Sequence, residues 1–320
     1  MNATRVALGC DLGATNVRVA LVTEEGEILT SAREVLEDRD PAAVATEIGR
    51  LATSVLGLAQ RSLEEVVGVG VGLAGQVLGE SGVVAVGPNL GWRDVDFGSL
   101  VERTLGRPVR VLNDLSAAAW GESRVGAARD VRDVLVVFLG SGVGAGLILG
   151  GRLYEGASGL AGEIGHVKVR PGERLCGCGE RGCLEAYVGG HNVAERLREL
   201  VEAGQAPSIL AAAGGRIDRV GPRALGAAAD DGDPFALAFL EEMASFLGLA
   251  IGNAITLLNP SRLVLGGGMF LGIAPLRALV EREVRRHAGR AAAGVLSITA
   301  SALEDDAGLV GAGLLAFEEI

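Results

Sequence analysis

The sequence predicts a mixed α/β fold with two related lobes, and three observations support this. The chain has 320 residues, which is more than one compact core usually holds. Apolar runs of strand length alternate with helical patterns along the whole chain. A strand, turn, strand, turn pattern in residues 5–35 recurs in residues 133–153. We therefore expect a duplicated chain with one lobe around each hairpin.

The composition favours a stably folded protein with an aliphatic core. Hydrophobic residues make up 49% of the chain and charged residues 22%, whereas aromatic residues make up only 3%. The formal net charge is −11 and the sequence has no long basic run, so we expect no nucleic-acid partner. It has neither a signal-peptide pattern nor about 20 consecutive apolar residues. We therefore expect a cytoplasmic protein with no membrane partner.

The first part of the chain predicts a meander and then a helix. Strands Val6–Cys10 and Val17–Val22 flank a polar turn, and a third strand ends near residue 35. Helical spacing then extends from Asp40 to Leu58, and a short buried strand follows at Val66–Val71.

That strand leads into a G-x-G-x-x-G string formed by Gly70, Gly72 and Gly75. A dinucleotide site would need a helix directly afterwards. Instead, several glycines interrupt the segment after Gly75, and another apolar strand follows. The string is therefore weak evidence for a nicotinamide cofactor.

Strand and helix patterns continue to alternate in the rest of the chain. Gly266, Gly267 and Gly268 form a junction from a strand to a helix. We predict further strands at Val109–Leu112, Val134–Leu139, Leu147–Leu149 and Leu263–Leu265, and helices at Ser116–Trp120, residues 234–258 and Pro275–His287.

The first hairpin turn combines groups that suit a metal-bound phosphate. Asp11, Gly13, Thr15 and Asn16 supply a carboxylate, backbone N–H groups and a hydroxyl, which can hold hydrated Mg²⁺ and face phosphate oxygens. An ordinary hairpin turn has the same composition. The repeated glycine turn at Gly140–Gly146 favours phosphate, because two such turns can clamp a triphosphate.

Two further features restrict the chemistry. Lys168 is the only lysine, so the chain has neither a G-x-x-x-x-G-K-[ST] loop nor the strand lysine of protein kinases. Asn113 and Asp114 lie between a strand and a helix, where they are typical helix caps. A carboxylate at the carboxyl end of a strand also suits proton acceptance from a substrate hydroxyl late in phosphoryl transfer.

The cysteines indicate metal binding in a reducing compartment. Cys176, Cys178 and Cys183 lie within eight residues, and an isolated Cys10 argues against a disulfide framework. His166, which we expect on an apolar strand, completes a closed, structural Zn²⁺ site. His191 is the alternative fourth ligand, but its position is more typical of a helix start.

Two glutamates lie close in sequence to these ligands. Glu163 precedes His166 by three residues and Glu185 follows Cys183 by two. If the metal brings them together, they offer hydrogen-bond acceptors to a polyol, together with the ring nitrogen of His166 that is not bound to metal. Each is equally compatible with a solvated surface charge.

These motifs together resemble those of the ROK (repressor, open reading frame, kinase) family, and most of all its bacterial zinc-containing glucokinases. The resemblance covers essentially the whole chain. It rests on Asp11–Asn16, Pro88–Trp92, Leu112–Asp114, Gly140–Gly146, Gly162–His166, Cys176–Glu185 and Gly266–Gly268. The chain departs from the common pattern at Ala14, where many members have glycine, which affects how closely that turn approaches phosphate.

The resemblance implies a two-lobed, actin-like (ribonuclease H-like) fold with ATP and a sugar in the cleft. It places residues 1–115 and about 305–320 in the first lobe and 116–304 in the second, and it implies a homodimer or homotetramer. The implied reaction is ATP- and Mg²⁺-dependent phosphorylation of a hexose, first of all glucose to glucose 6-phosphate.

The resemblance also implies a role for each motif residue. Asp114 is the base that accepts the 6-hydroxyl proton. The sugar contacts are Gly75, Asn89, Asn113, Asp114, Glu163, His166 and Glu185. The zinc ligands are His166, Cys176, Cys178 and Cys183. The phosphate and nucleotide residues are Asp11, Gly13, Thr15, Asn16, Gly140, Ser141, Gly142, Gly144, Gly266, Gly267 and Gly268.

Several alternatives stay open at this point. Family members that act as repressors carry a winged-helix segment before the first phosphate motif, and only ten residues precede Asp11. We therefore expect an enzyme. Fructose, mannose, N-acetylmannosamine or allose as the substrate, another nucleotide or polyphosphate as the donor, and a non-catalytic sugar sensor remain alternatives.

Overall fold

The structure, a computed structural model, describes residues 4–318 apart from the side chain of Glu80. These residues form both strands and helices, which confirms the predicted α/β class. The strands are β1 (Val6–Leu12), β2 (Asn16–Thr23), β3 (Ile28–Val35), β4 (Val66–Leu73), β5 (Gln76–Val77), β6 (Val83–Gly87), β7 (Trp92–Asp96), β8 (Val109–Asn113), β9 (Val134–Leu139), β10 (Val143–Leu149), β11 (Arg152–Leu153), β12 (Arg262–Gly266) and β13 (Ser297–Ala300).

All four helices predicted from the sequence are present among the twelve α-helices that the structure describes. Helix α1 begins at the proline after Asp40, whose carboxylate accepts hydrogen bonds from the N–H groups of Ala42 and Ala43. The helices are α1 (Pro41–Leu58), α2 (Phe97–Leu105), α3 (Asp114–Arg124), α4 (Glu185–Val188), α5 (Gly190–Glu202), α6 (Pro207–Ala212), α7 (Pro222–Asp230), α8 (Pro234–Leu258), α9 (Gly268–Gly272), α10 (Ala274–His287), α11 (Arg290–Val295) and α12 (Ala307–Leu315).

The two large sheets have the same topology, which supports the duplication. The strand order is β3-β2-β1-β4-β8 in the first sheet and β11-β10-β9-β12-β13 in the second. In the first, β1 pairs antiparallel with β2 and parallel with β4, and β4 pairs parallel with β8. In the second, β10 and β11 are antiparallel, and β12 and β13 are parallel. A separate small sheet has the order β5-β6-β7.

The chain divides into two compact units. Among the described residues, the first comprises 4–134, 146–162 and 301–318, and the second comprises 135–145 and 163–300. The lobe boundaries that we expect from the sequence, at 115/116 and about 304/305, stay a prediction.

Glycines allow helix α12 to approach its neighbours closely within the first unit. A Cβ at Gly70 of β4 would lie 1.8 Å from the Ala312 carbonyl oxygen, and a Cβ at Gly311 would lie 1.8 Å from the Ala117 carbonyl oxygen. Neither position therefore tolerates a side chain. Gly70 in the G-x-G-x-x-G string thus serves helix packing, and the start of α12 reaches the carboxyl ends of β1 and β8.

Helix α8 is apolar and 25 residues long, enough to cross a membrane by length and composition alone. In the structure, 61% of its most apolar 18-residue stretch is buried inside the fold. Its buried side chains include Leu240, Met243, Leu247 and Ile251. This burial is typical of the core helix of a globular protein.

Two local predictions were wrong. The glycine turn predicted at Gly140–Gly146 is shorter, because β10 begins at Val143 rather than at Leu147. His166 lies in a 3₁₀ turn, Ile164–His166, rather than on a strand. Gly162 has a φ of +94°, and the His166 N–H donates to the Glu163 carbonyl oxygen at 3.0 Å. A positive φ at glycine followed by this tight turn ends any extended run.

Candidate functional site

In the first unit, two carboxylates lie near the carboxyl ends of β1 and β8. In the register of the sheet, Asp11 of β1 pairs with Gly72 of β4, and Gly72 pairs with Leu112 of β8. Asp114 is the first residue of α3, which follows β8. A Cβ at Gly72 would lie 3.5 Å from the Asp114 Cα. A Cβ at Gly308, near the start of α12, would lie 3.9 Å from Asp11 Oδ1 and 3.7 Å from the Asp114 carbonyl oxygen. The two acids therefore flank the same helix end.

The Asn113 side chain shapes the region around Asp114. Its Oδ1 accepts hydrogen bonds from the N–H groups of Leu115 and Ser116 at 2.9 and 3.2 Å, which confirms the capping interpretation. Its Nδ2 donates to the Gly75 carbonyl oxygen at 3.2 Å. Asn113 thus joins the start of α3 to the turn after β4. Three predicted sugar contacts, Gly75, Asn113 and Asp114, are brought together here.

Asp11 lies in a charged cluster that the sequence analysis missed. Its cross-strand partner is Arg18, which donates to the Asp305 carbonyl oxygen at 2.8 Å and pairs with the Asp306 carboxylate. Burial raises the pKa of Asp11, with smaller contributions that lower it from Arg18 and Arg33 and raise it from Asp305 and Asp306. The position of Arg18 opposite Asp11 in the hairpin was the available sequence signal.

The first turn is held by its own backbone and by the segment after β3. The Gly13 N–H donates to the Asn16 carbonyl oxygen at 3.0 Å, and the Leu36 N–H donates to the Thr15 carbonyl oxygen at 2.9 Å. The Asn16 Nδ2 donates to Thr15 Oγ1 at 2.8 Å. Thr15 is exposed, as is Asn89 in the turn between β6 and β7. The turn thus presents side-chain oxygen as well as backbone groups.

The second turn lies in the second unit and consists mainly of backbone. Gly140, Ser141 and Gly142 connect β9 to β10, which contains Gly144, and the Gly140 N–H donates to the Gly142 carbonyl oxygen at 3.0 Å. Ser141 is exposed.

The third glycine motif packs against the strand that leads into the second turn. Gly267 has a φ of +90°, and a Cβ there would lie 2.5 Å from the Leu139 carbonyl oxygen. Gly266 ends β12, and Gly268 begins the five-residue helix α9. The structure therefore brings this motif next to the second turn within one unit.

The predicted metal ligands form one cluster. The ligand atoms of His166, Cys176, Cys178 and Cys183 all lie within 4.8 Å of one another. The Cys176 Sγ lies 3.8 Å from His166 Nδ1, and the Cys178 Sγ lies 3.7 Å from the Cys183 Sγ. Tetrahedral zinc with sulfur ligands at about 2.3 Å places ligand atoms about 3.8 Å apart. The donor set and spacing fit Zn²⁺.

The groups around the cluster also suit a cation. Burial raises the pKa of the Cys176 thiol to about 12, so ionisation of this sulfur would need a cation nearby. The Lys168 Nζ lies 3.0 Å from the Cys183 Sγ and 3.6 Å from Glu180 Oε2. This contact of Lys168 was not predicted from the sequence, where the residue only excluded other nucleotide-binding motifs. An isolated antiparallel β-bridge places it beside Cys183.

The two glutamates converge around His166 in the second unit. Glu163 Oε2 lies 3.6 Å from His166 Nε2, the ring nitrogen that does not face the sulfurs. Burial raises the pKa of Glu163, His166 lowers it, and Glu185 raises it further. Glu185 Oε2 accepts a hydrogen bond from the Val143 N–H at 3.1 Å. Glu185 is therefore more than a surface charge.

Comparison with known proteins identifies the family. The ROK family model matches residues 7–319. The chain belongs to the ROK family. It is 35% identical to a glucokinase of Streptomyces coelicolor over 319 residues, which cover 98% of each chain.

A solved structure gives the same result. The chain is similar to a ROK family glucokinase from Streptomyces griseus, solved with glucose and AMPPNP, with a TM-score of 0.81, 32% identity and coverage of 97% and 98%. The predicted family and its two-lobed, actin-like fold class are confirmed. The chain is also 28% identical to a xylose repressor of Caldicellulosiruptor bescii. The matched region covers 81% of this chain and 65% of the repressor.

Proposed function

We propose that this protein transfers the γ-phosphoryl group of ATP to the 6-hydroxyl of glucose. The observation that carries the proposal is the position of Asp114. It is the first residue of α3 and lies beside the start of α12, which Asp11 also approaches. The similarity to a glucokinase, at 35% identity over 98% of both chains, supports this choice.

Asp114 is the proposed base. The sugar 6-hydroxyl loses its proton to the Asp114 carboxylate as the bond to the γ-phosphorus forms and the bond from phosphorus to the ADP oxygen breaks. An ordinary carboxylate is a weak base toward an alcohol, so the proton moves late, after phosphoryl transfer has made the hydroxyl acidic. The backbone N–H of Leu115 donates to Asp114 Oδ1 at 3.0 Å and fixes the orientation of the carboxylate.

The remaining assignments are proposals for the same reaction. Asp11, Gly13, Thr15 and Asn16 face the phosphates and the Mg²⁺ that enters with ATP. The turn Gly140–Gly144 binds phosphate through backbone N–H groups, and Gly266, Gly267 and Gly268 lie against the adenosine. Gly75, Asn89, Asn113, Glu163, His166 and Glu185 contact the sugar. Asparagine amides and glutamate carboxylates can distinguish hydroxyls by donating to or accepting from them.

Zn²⁺ held by His166, Cys176, Cys178 and Cys183 would be structural. Four protein ligands leave no open position for water, so the ion supplies the loop with a rigid cross-link rather than a Lewis acid. The His166 ring and Glu163 then keep a fixed position relative to each other. We also propose a cytoplasmic location, where the thiols stay reduced, and a homodimer or homotetramer, which light scattering would test.

The test of the proposal is a coupled assay of wild type and Asp114→Asn with ATP and a hexose panel. We expect glucose to be the preferred substrate and the substitution to lower kcat by about 10²- to 10⁴-fold, the usual contribution of a general base. Glucose binding, measured by calorimetry, should change less than about threefold. Asp130→Asn is the matched control, because the Asp130 side chain is 92% exposed.

The outcomes separate the parts of the proposal. Retention of a tenth or more of kcat in Asp114→Asn would contradict the role of the base. Preference for mannose, fructose, allose or N-acetylmannosamine would correct only the substrate. Sugar binding without transfer from ATP, another nucleotide or polyphosphate would favour the sensor.

A further inference from the structure

The segment that follows the metal ligand Cys183 supports the second turn. The Gly190 N–H donates to the Gly140 carbonyl oxygen at 2.9 Å, and the His191 N–H donates to the Ser141 carbonyl oxygen at 2.9 Å. On the other side, the Glu185 carboxylate accepts from the Val143 N–H at 3.1 Å. All these residues belong to the second unit. The turn is therefore fixed from both ends by residues 185–191.

The position of Glu185 is tightly defined. A Cβ at Gly142 would lie 2.4 Å from Glu185 Oε2, so the carboxylate occupies the space that a side chain would take there. A Cβ at Gly189 would lie 3.0 Å from the Glu185 Cγ. The flanking residues Leu184 and Ala186 are completely buried. Glu185 thus lies between two glycines on an anchored backbone, with its carboxylate beside the turn.

The chemistry of a carboxylate allows it to serve two partners. Its two oxygens offer about four acceptor positions. The Val143 N–H occupies only one of these positions, so the carboxylate can also accept a hydrogen bond from a hydroxyl. Charge-assisted hydrogen bonds of this kind are among the stronger ones in proteins.

We propose that Glu185 couples the sugar to the nucleotide. It is a positioning residue for the second turn: a sugar hydroxyl on the carboxylate orders the side chain, the Glu185 contact to Val143 orders the turn, and the turn then binds phosphate more tightly. By thermodynamic linkage, the nucleotide must tighten sugar binding by the same factor. The inference rests on the proposed function, because it needs the sugar at Glu185 and phosphate at the turn.

The decisive experiment measures coupling rather than activity. Calorimetry gives the Kd of AMPPNP with Mg²⁺ in the absence and in the presence of saturating glucose. For wild type, we expect glucose to lower this Kd by about fivefold or more, the lower end of typical coupling. The Kd of glucose should fall by the same factor when AMPPNP is saturating.

Two variants test the residue and the contact separately. Gly142→Ala keeps the carboxylate but displaces it from the turn, and only the flexible end of one side chain must move. Glu185→Ala removes the carboxylate. We expect a coupling factor near one in both. Glucose affinity should stay within about threefold of wild type in Gly142→Ala and fall further in Glu185→Ala.

Gly294→Ala is the control, because it adds the same methyl group to open space in α11 of the same unit. It should keep the wild-type coupling factor. Equal coupling in wild type and Gly142→Ala would overturn the proposal, as would a factor near one in wild type that binds both ligands. Wild type that binds neither ligand would contradict the proposed function itself, so the two failures are distinguishable.

Discussion

The two hairpin turns occupy equivalent places in two sheets of the same topology, yet they are built differently. The turn after β1 has three residues, carries Thr15 beside Asn16 at the start of β2, and adjoins a carboxylate, Asp11, in a cluster with Arg18. The turn after β9 has three residues, two of them glycine, and its acid comes from Glu185, 42 residues further along the chain.

The difference shows how one topology supports two kinds of turn. In the first turn, the side-chain charge is fixed locally by the strand pairing of Asp11 with Arg18. In the second, backbone groups are fixed from outside by the segment 185–191. A turn of the first kind suits a metal-bound phosphate, and one of the second suits phosphate oxygens directly.

The largest effect that would test this comparison is expected at Asp11. Asp11→Asn removes the carboxylate of the first turn, and we expect kcat/KM to fall by about 10- to 100-fold, the range for weakened metal support. Excess Mg²⁺ should recover part of the activity. Steady-state kinetics across a Mg²⁺ series measures both effects, and an unchanged Mg²⁺ dependence would contradict the role of Asp11.

The same substitution has a pH-dependent effect on stability. Burial raises the pKa of Asp11 above its ordinary value of 3.8, so the folded state holds this proton more tightly than the unfolded chain does. Ionisation of Asp11 therefore costs stability as the pH rises through 3.8 to the raised value. We expect the Tm of Asp11→Asn to exceed that of wild type, and the difference in Tm should increase with pH across this range. The difference in Tm between Asp130→Asn and wild type should not change with pH.

A smaller effect is expected from added methyl groups near the two turns. A Cβ at Gly190 would lie 2.6 Å from the Gly140 carbonyl oxygen, whereas a Cβ at Gly13 would meet only the Asn16 carbonyl oxygen at an ordinary 3.6 Å. We expect Gly190→Ala to cost about 1–3 kcal/mol by denaturant unfolding, the usual cost of overpacking. Gly13→Ala should cost less than about 0.5 kcal/mol. An equal loss of unfolding free energy in the two variants would contradict the proposal that the two turns are held in place differently.

The smallest effect concerns the metal cluster beside the second turn. Three thiolates outweigh the charge of one Zn²⁺, and Lys168 contacts one of them. We expect Lys168→Met to speed zinc release to a chromogenic chelator by about tenfold, as for other groups around metal ligands. Lys168→Arg should recover most of the difference. Identical release from wild type and Lys168→Met would show that the lysine does not stabilise the bound ion.

Much of the fold followed from local patterns. The limits of β9 were predicted to the residue and those of α1 to within about one residue, because a run of six apolar residues and a proline after a capping aspartate are strong local signals. The three cysteines and His166 were identified by type and spacing. The strand predicted at His166 was wrong, because a glycine with positive φ just before it allowed a tight turn.

The sequence by itself determined many of the elements, the candidate metal ligands and the turns that repeat. Only the tertiary structure decided their partners. Arg18 meets Asp306 across 288 positions, and α12 reaches β4 because Gly70 has no side chain. The physical reason is that periodicity and propensity describe a residue's own backbone and burial, whereas a contact depends on how distant segments pack.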